Sequence, residues 1–532
     1  MGKAKGKDRK VKRVELKDPE MREFLNRVEG RALVDEDYNL IKGMAETLRC
    51  LSQSVEDSAA SIKRLMRYLF GAPTETAKKL FPKEDSDKAD AAEENDEPKA
   101  PRKGHGRRGA ADYTGGSRVK VAHPTLAAGT PCPECLKGKV YELALPSTVV
   151  KITGGAPLQA TVFERDRLRC NLCGQIFTPP EPEDASQGKY DDSAAAMIAV
   201  LKYGCGMPFH RLEKLQESVG VPLPASTQWE IIDEAEESVR PVYEALVCEA
   251  AQGDILHNDD TTARILSLLN QQNEESKRKG IFTTGIVSVK DDQRIALFIT
   301  GRNHAGENLE EVLKARAQNL SAPIQMCDAL SRNVPSTFQT ILANCLSHAR
   351  RHFVDVADAF PEECRHVIEC LAKVYHHDDL ARELKLDPDE RLRFHQEKSG
   401  PVTEELKSWC EHQIAEKRVE PNSGIGKAIQ YLLNHWEKLT RFLRVPKAPL
   451  DNNICERALK RAILNRKNSY FFKTENGAHV GDVFLSLIHT CQLAGENPLD
   501  YLTQLLRNAS EVARAPERWL PWNYRQNIKP DD

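Results

Sequence analysis

Beyond Gly253 the chain turns to short runs rich in apolar and β-branched residues, and their order constrains the architecture more than any other feature. Ile255–Asn258 reads as a strand. Ile281–Val289 and Arg294–Thr300 read as two more, joined by a turn at Asp291–Asp292. Glu307–Ala317 carries helical periodicity, and Pro323–Cys327 reads as a fourth strand. Two of these strands end in aspartates. Asp259 sits in His257-Asn-Asp-Asp-Thr-Thr262, and Asp328 closes Ile324-Gln-Met-Cys-Asp328.

A strand-strand-strand-helix-strand order is that of the ribonuclease-H-like fold, in which the first and fourth strands are neighbours. Asp259 and Asp328 would then approach one point. Glu456, in Asp451-Asn-Asn-Ile-Cys-Glu-Arg457, lies near the start of a predicted helix. Three carboxylates at one place suit Mg²⁺ or Mn²⁺, because hard cations take oxygen ligands and keep waters. Two such ions about 4 Å apart can activate an attacking oxygen and stabilise a leaving one in phosphoryl displacement. A single aspartate at a strand end is far more often a turn or cap residue. By local pattern alone Asp260 competes with Asp259, and Asp451 with Glu456.

The rest of the chain divides around this core. Its 532 residues suggest three or four domains at about 150 residues each. The expected fold class is multidomain α/β. Residues 1–82 hold a lysine-rich tail and a helical segment. In that segment Ile41, Met44, Leu48, Leu51, Val55, Ile62, Leu65 and Leu69 form a heptad seam, with Ser58 at its one polar place. A coiled coil and a long helix packed on its own protein both fit. Residues 83–127 form a charged linker, first acidic and then basic, of a kind that resists burial. Residues 128–180 carry two Cys-x-x-Cys pairs. Residues 181–248 read as helices Ala194–Tyr203, Phe209–Val219 and Thr227–Leu246, the last opening on a Thr227/Glu230 capping box. Short helices with tight connections allow a helix-turn-helix or an ordinary helical connector. Residues 249–485 hold the strand-rich core, with mostly helical pattern at about 345–448, and residues 486–532 form a helical C-terminal segment.

Cys132-Pro-Glu-Cys135 and Cys170-Asn-Leu-Cys173 offer four thiolates, the tetrahedral sulfur shell of structural Zn²⁺. Strand formers between the pairs suggest a zinc ribbon; four unrelated buried cysteines are the plainer reading. A full sulfur shell leaves no position for water, so this zinc would hold the fold. With fourteen cysteines and no apolar segment after the basic N-terminus, a disulfide framework is not expected. No stretch approaches the roughly 18 apolar residues of a membrane span, so no membrane partner is expected and the compartment is the cytosol.

The net charge of −3 means that a nucleic-acid partner must be met by local basic patches. The helix opened by Glu456 supplies one, with Arg457, Lys460, Arg461, Arg466 and Lys467. Arg350 and Arg351, beside His348, supply another. Such groups beside a metal site would bind a DNA backbone; a solvated basic face is the plainer reading.

Several segments carry a family resemblance. His257-Asn-Asp-Asp-Thr261, Cys345-Leu-Ser-His-Ala-Arg-Arg351, Pro449-Leu-Asp-Asn-Asn-Ile-Cys-Glu-Arg457 and Asn465-Arg-Lys-Asn468 resemble, in order, those of the insertion-sequence-66 family of DDE transposases. The paired Cys-x-x-Cys segment and Gly104-His-Gly-Arg-Arg108 are similar as well. The resemblance implies Asp259, Asp328 and Glu456 as the catalytic acids and ligands of Mg²⁺ or Mn²⁺. It also implies a ribonuclease-H-like core with a large helical insertion before Glu456. The activity implied is cleavage of double-stranded DNA at terminal inverted repeats, then strand transfer to target DNA. A homo-oligomer, accessory proteins of the same element and a prokaryotic, nucleoid-associated location follow. A catalytically silent, zinc-dependent DNA-binding derivative is the alternative, and a nuclease without strand transfer is a third reading.

Overall fold

A computed structural model describes residues 188–270 and 280–528 without a break, with shorter stretches between residues 24 and 42 and between 119 and 182. Met1–Glu84 and Asp85–Asp532 are separate units. The lysine-rich tail and nearly all of the heptad seam lie outside the described residues, as do Cys135, Cys170 and Cys173. Cys132 is part-exposed. Sequence around both cysteine pairs is described. Leu168 and Arg169 pair antiparallel with Phe177 and Ile176. Pro131 bridges Lys139 in the same sense. In sequence, each cysteine pair lies between the two partners of one such pairing.

The sheet has five strands: β1 (Ile255–Thr262), β2 (Phe282–Lys290), β3 (Gln293–Gly301), β4 (Ile324–Cys327) and β5 (Ile341–Asn344). Their spatial order is β3-β2-β1-β4-β5. The β1–β2 and β2–β3 pairs are antiparallel; β1–β4 and β4–β5 are parallel. The four expected strands are present. β1 runs four residues further than its apolar start suggests, because Asp259 to Thr262 continue to pair with β2. β5 is an addition; four residues beside a helix start give too little pattern to read.

Between residues 188 and 254 three helices precede the sheet: α1 (Asp192–Ala199), α2 (Phe209–Ser218) and α3 (Ala225–Ala251). The capping box expected at Thr227 is corrected. The α3 helix begins two residues earlier, and extended Pro224 is its N-cap without a side-chain bond. Proline suits a helix entrance because it has no N–H to leave unpaired. Gln228, in the first turn, instead turns inward and donates to the carbonyls of Leu223 and Phe209. Ile232, Ala235, Val239, Val242, Leu246 and Ala250 are buried at helical spacing.

Helix α4 (Ala305–Leu313) links β3 to β4. After β5 come α5 (Leu346–Val356), α6 (Pro361–Glu383), α7 (Pro388–Ala415) and α8 (Gly424–Asn434). Then α9 (Asn453–Ser469), α10 (Glu475–Leu493) and α11 (Pro498–Arg507) return to the sheet and the first helices. One apolar core runs through Ala196, Leu212, Val239, Leu256, Phe298, Leu459, Phe484, Tyr501 and Tyr524.

Helix α10 lies along β3. Thr490 Oγ1, Ser486 Oγ and Asp482 Oδ2 accept the backbone N–H groups of Ala296, Phe298 and Thr300, at 3.1, 2.9 and 2.6 Å. Four helical residues rise about 6 Å and two strand residues about 6.6 Å, so the two ladders stay in step. From Ala296 to Thr300, every other N–H of β3 thereby finds a side-chain acceptor.

Candidate active site

The parallel register between β1 and β4 pairs Ile255 with Ile324 and His257 with Met326. Two residues further, the same offset sets Asp259 level with Asp328. Strand alternation puts both on the face that carries His257 and Met326. Asp260 points to the other face. There its Oδ1 accepts from Thr284 Oγ1 at 2.7 Å, and its Oδ2 accepts from Ala305 N at 3.0 Å and meets His304 Nδ1 at 3.1 Å. Asp260 thus ties β1 and β2 to the start of α4.

Buried amides hold the aspartates in place. Asn333 donates from Nδ2 to Asp328 Oδ1 at 2.5 Å and, at 3.5 Å, to Asp259 Oδ1. Its own carbonyl accepts from Asn258 Nδ2 and Gln325 Nε2, both at 2.7 Å. Asn452, at the start of α9, donates from Nδ2 to the Asn258 carbonyl at 3.1 Å, and its Oδ1 lies 3.0 Å from His257 Nδ1. Burial pushes His257 down to about 4, so its ring is neutral at physiological pH. Burial, and then the charges of Asp328, Asp260 and Glu456, push the Asp259 carboxyl up to about 7, against an N–H bond from Asp260 that lowers it.

Glu456 reaches this region from the first turn of α9. The approach depends on Gly285, the β2 partner of Asp259. A Cβ there would lie 2.9 Å from Leu459 Cγ. Beside it, Cys455 Sγ donates to the Gly285 carbonyl at 3.2 Å. Glu456 Oε1 lies 3.6 Å from His348 Nδ1, and Oε2 lies 4.0 Å from Arg351. Among the described residues, the group whose ligand atoms all lie within 4.8 Å of one another is Cys345, His348 and Glu456. Asp259 and Asp328 meet through Asn333, while Glu456 faces the start of α5. Asp451 is engaged elsewhere, accepting from the backbone and side-chain nitrogens of Asn453 at 3.0 and 2.7 Å.

The basic residues have different surroundings. Arg457, Lys460 and Lys467 are exposed on α9. Arg461 is half-buried, and its desolvation lowers its pKa. Arg466 bonds to the Thr261 and Thr262 hydroxyls at 3.0 and 2.6 Å and to the Thr262 carbonyl, fastening the end of α9 to β1. Arg350 and Arg351 are half-buried on α5. Sequence reasoning missed Asn333 and the amide belt around it. Cys345 was visible only as the first residue of the Cys345–Arg351 motif.

Fold and site together define a mixed α/β protein whose central parallel strand pair carries adjacent aspartates, flanked by a helix with basic residues. The chain belongs to the family described as "Transposase IS66 family", whose profile matches residues 187–480, more than half of its length. It is 25% identical over 510 residues to "Uncharacterized protein y4jD" of Sinorhizobium fredii (strain NBRC 101917 / NGR234), covering 89% of this chain and 96% of that one. It is 26% identical over 440 residues to "Uncharacterized protein y4hP" of the same strain, covering 77% and 75%. No helix among the described residues is long and apolar enough to cross a membrane.

Proposed function

We propose that the chain is a DDE transposase with a ribonuclease-H-like core, and that Asp259, Asp328 and Glu456 are its catalytic acids. The observation that carries this reading is the level placement of Asp259 and Asp328 on one face, with Asn333 donating to both. The donor set fits a hard divalent cation. It is three carboxylates, with Asp259 forced upward by burial and by its acidic neighbours, and Glu456 Oε1 is buried without a hydrogen-bond partner. Bound Mg²⁺ or Mn²⁺ would supply positive charge for an entering oxygen nucleophile and for the departing alkoxide.

The chain's own groups do the rest. Asn333 fixes the spacing of the two aspartates. His348 and Arg351 border Glu456. Arg457, Lys460 and Lys467 offer charge to backbone phosphates along α9. Water attacks a phosphodiester at the element's end, and the freed 3′-hydroxyl then attacks target DNA in a second displacement at the same site. Cys132, Cys135, Cys170 and Cys173 are assigned to structural Zn²⁺, a reading supported by the short antiparallel pairings around each cysteine pair.

The test is cleavage and joining of a duplex that ends in the inverted repeat flanking the gene, with Mg²⁺ or Mn²⁺ added. Asp259→Asn, Asp328→Asn and Glu456→Gln are expected to bind this DNA and to lose both products. Full activity in all three variants would falsify the assignment. An inactive wild type that binds DNA would favour a silent zinc-dependent DNA-binding protein. Cut but unjoined DNA would favour a nuclease.

A further inference from the structure

We propose that Cys345, His348 and Glu456 form a separate site for a thiophilic divalent ion such as zinc, and that filling it holds Glu456 away from Asp259 and Asp328. The site itself is argued from geometry. Its effect on Glu456 rests on the functional reading above.

Cys345 is the N-cap of α5, and His348 follows three residues later. That spacing sets both side chains on one side of the first turn. The first turn of α9 brings Glu456 up opposite them. The sulfur, ring nitrogen and carboxylate oxygen all lie within 4.8 Å of one another.

His348 Nδ1 and Glu456 Oε1 are buried polar atoms with no hydrogen-bond partner. They face each other at 3.6 Å, which is beyond hydrogen-bond length. Two ligands bound about 2.1 Å from one tetrahedral ion stand roughly 3.4 Å apart. The pair is therefore set at ligand spacing. Buried polar atoms in native proteins rarely go unpaired, and a shared cation would satisfy both.

Cys345 Sγ accepts the backbone N–H of Asn452 at 3.2 Å. Burial pushes its thiol up to about 12, against that bond, which lowers it, so a bound ion must displace the proton. Thiolate, imidazole and carboxylate together select zinc over magnesium. Thiolate and carboxylate balance the ion's two charges, and the fourth tetrahedral position stays open to water. When the Sγ–metal bond forms, the thiol proton leaves to solvent; nothing is oxidised or reduced. A carboxylate oxygen held by this ion is withdrawn from the aspartates, so zinc and the hard catalytic cation compete for one side chain.

Full-length protein equilibrated with excess zinc and then desalted gives the first test, read as zinc per chain. Wild type and Asp259→Asn are expected to hold one equivalent more than Cys345→Ser and one more than His348→Gln. Circular dichroism checks that each variant is folded. His348 is only part-buried, so His348→Gln decides the matter if Cys345→Ser does not fold. Equal zinc content in the folded variants and wild type would overturn the site. In the second test, zinc added below the Mg²⁺ concentration is expected to suppress DNA cleavage by wild type and to spare Cys345→Ser. Equal inhibition of the two would overturn the competition for Glu456. If wild type shows no Mg²⁺-dependent cleavage, the functional reading fails, while the zinc count still decides the site.

Discussion

Asn333 shares a single side-chain nitrogen between Asp259 and Asp328. Removing it leaves two carboxylates facing each other with no donor between them. Asn333→Ala is expected to reduce DNA cleavage by about 10- to 100-fold, as loss of groups that orient metal ligands commonly does, while circular dichroism stays unchanged. Wild-type cleavage rates in that variant would remove Asn333 from the positioning role. Asp482 makes a second prediction at this scale. Burial pushes its carboxyl up to about 7, against two bonds from Thr300 that lower it. A folded value above the unfolded one means that the native state binds the extra proton. The stabilisation is complete below about pH 4 and is lost as pH rises through about 7. Asp259 adds a similar falling contribution, and neutral His257 and His489 add opposing, rising ones, so the test is the difference between two proteins. Denaturant melts between pH 5 and 8 should show Asp482→Asn losing one falling contribution relative to wild type, worth on the order of 4 kcal/mol at most. A slope unchanged by the substitution would show that another group carries it.

At the scale of elements, the seating of α9 on β2 is set by the missing side chain at Gly285. Gly285→Val would push Leu459 and Cys455 outward and carry Glu456 with them. We expect a loss of roughly 1–3 kcal/mol from overpacking, with cleavage falling further than stability explains; a thermal melt beside a cleavage assay checks this. The same scale shows what could be read from the residues alone. β2 and β3 are legible because β-branched runs flank an Asp291–Asp292 turn. The far half of β1 is not, since Asp-Asp-Thr-Thr has little strand preference and is held by its pairing with β2. The level of Asp259 and Asp328 follows once β1 and β4 are taken as neighbours. The company of Glu456 does not, because Cys345 and His348 reach it through the crossing of α5 and α9, which no local pattern encodes. Asn333 belongs to a one-turn 3-10 segment, Ser331–Asn333, too short to announce a role.

For the whole molecule, the shared core matters most. Residues of α1, α2 and α3, the sheet, α9 and the C-terminal helices all line it. Tyr501, Trp519 and Tyr524 are among its largest fully buried side chains. A chain ended at Ala494 would lose all three, and it is expected to unfold or aggregate rather than to yield a working core. A soluble truncated protein with an intact thermal transition would contradict this. The ladder of Asp482, Ser486 and Thr490 along β3 has a consequence for assembly. An open sheet border is a template on which another chain can add a strand. With the outward donors of Ala296, Phe298 and Thr300 already taken by α10, this stretch of the border offers a second copy little to zip onto. Proteins that crowd together on DNA are then kept from polymerising through that strand, and any association between copies must use other surfaces.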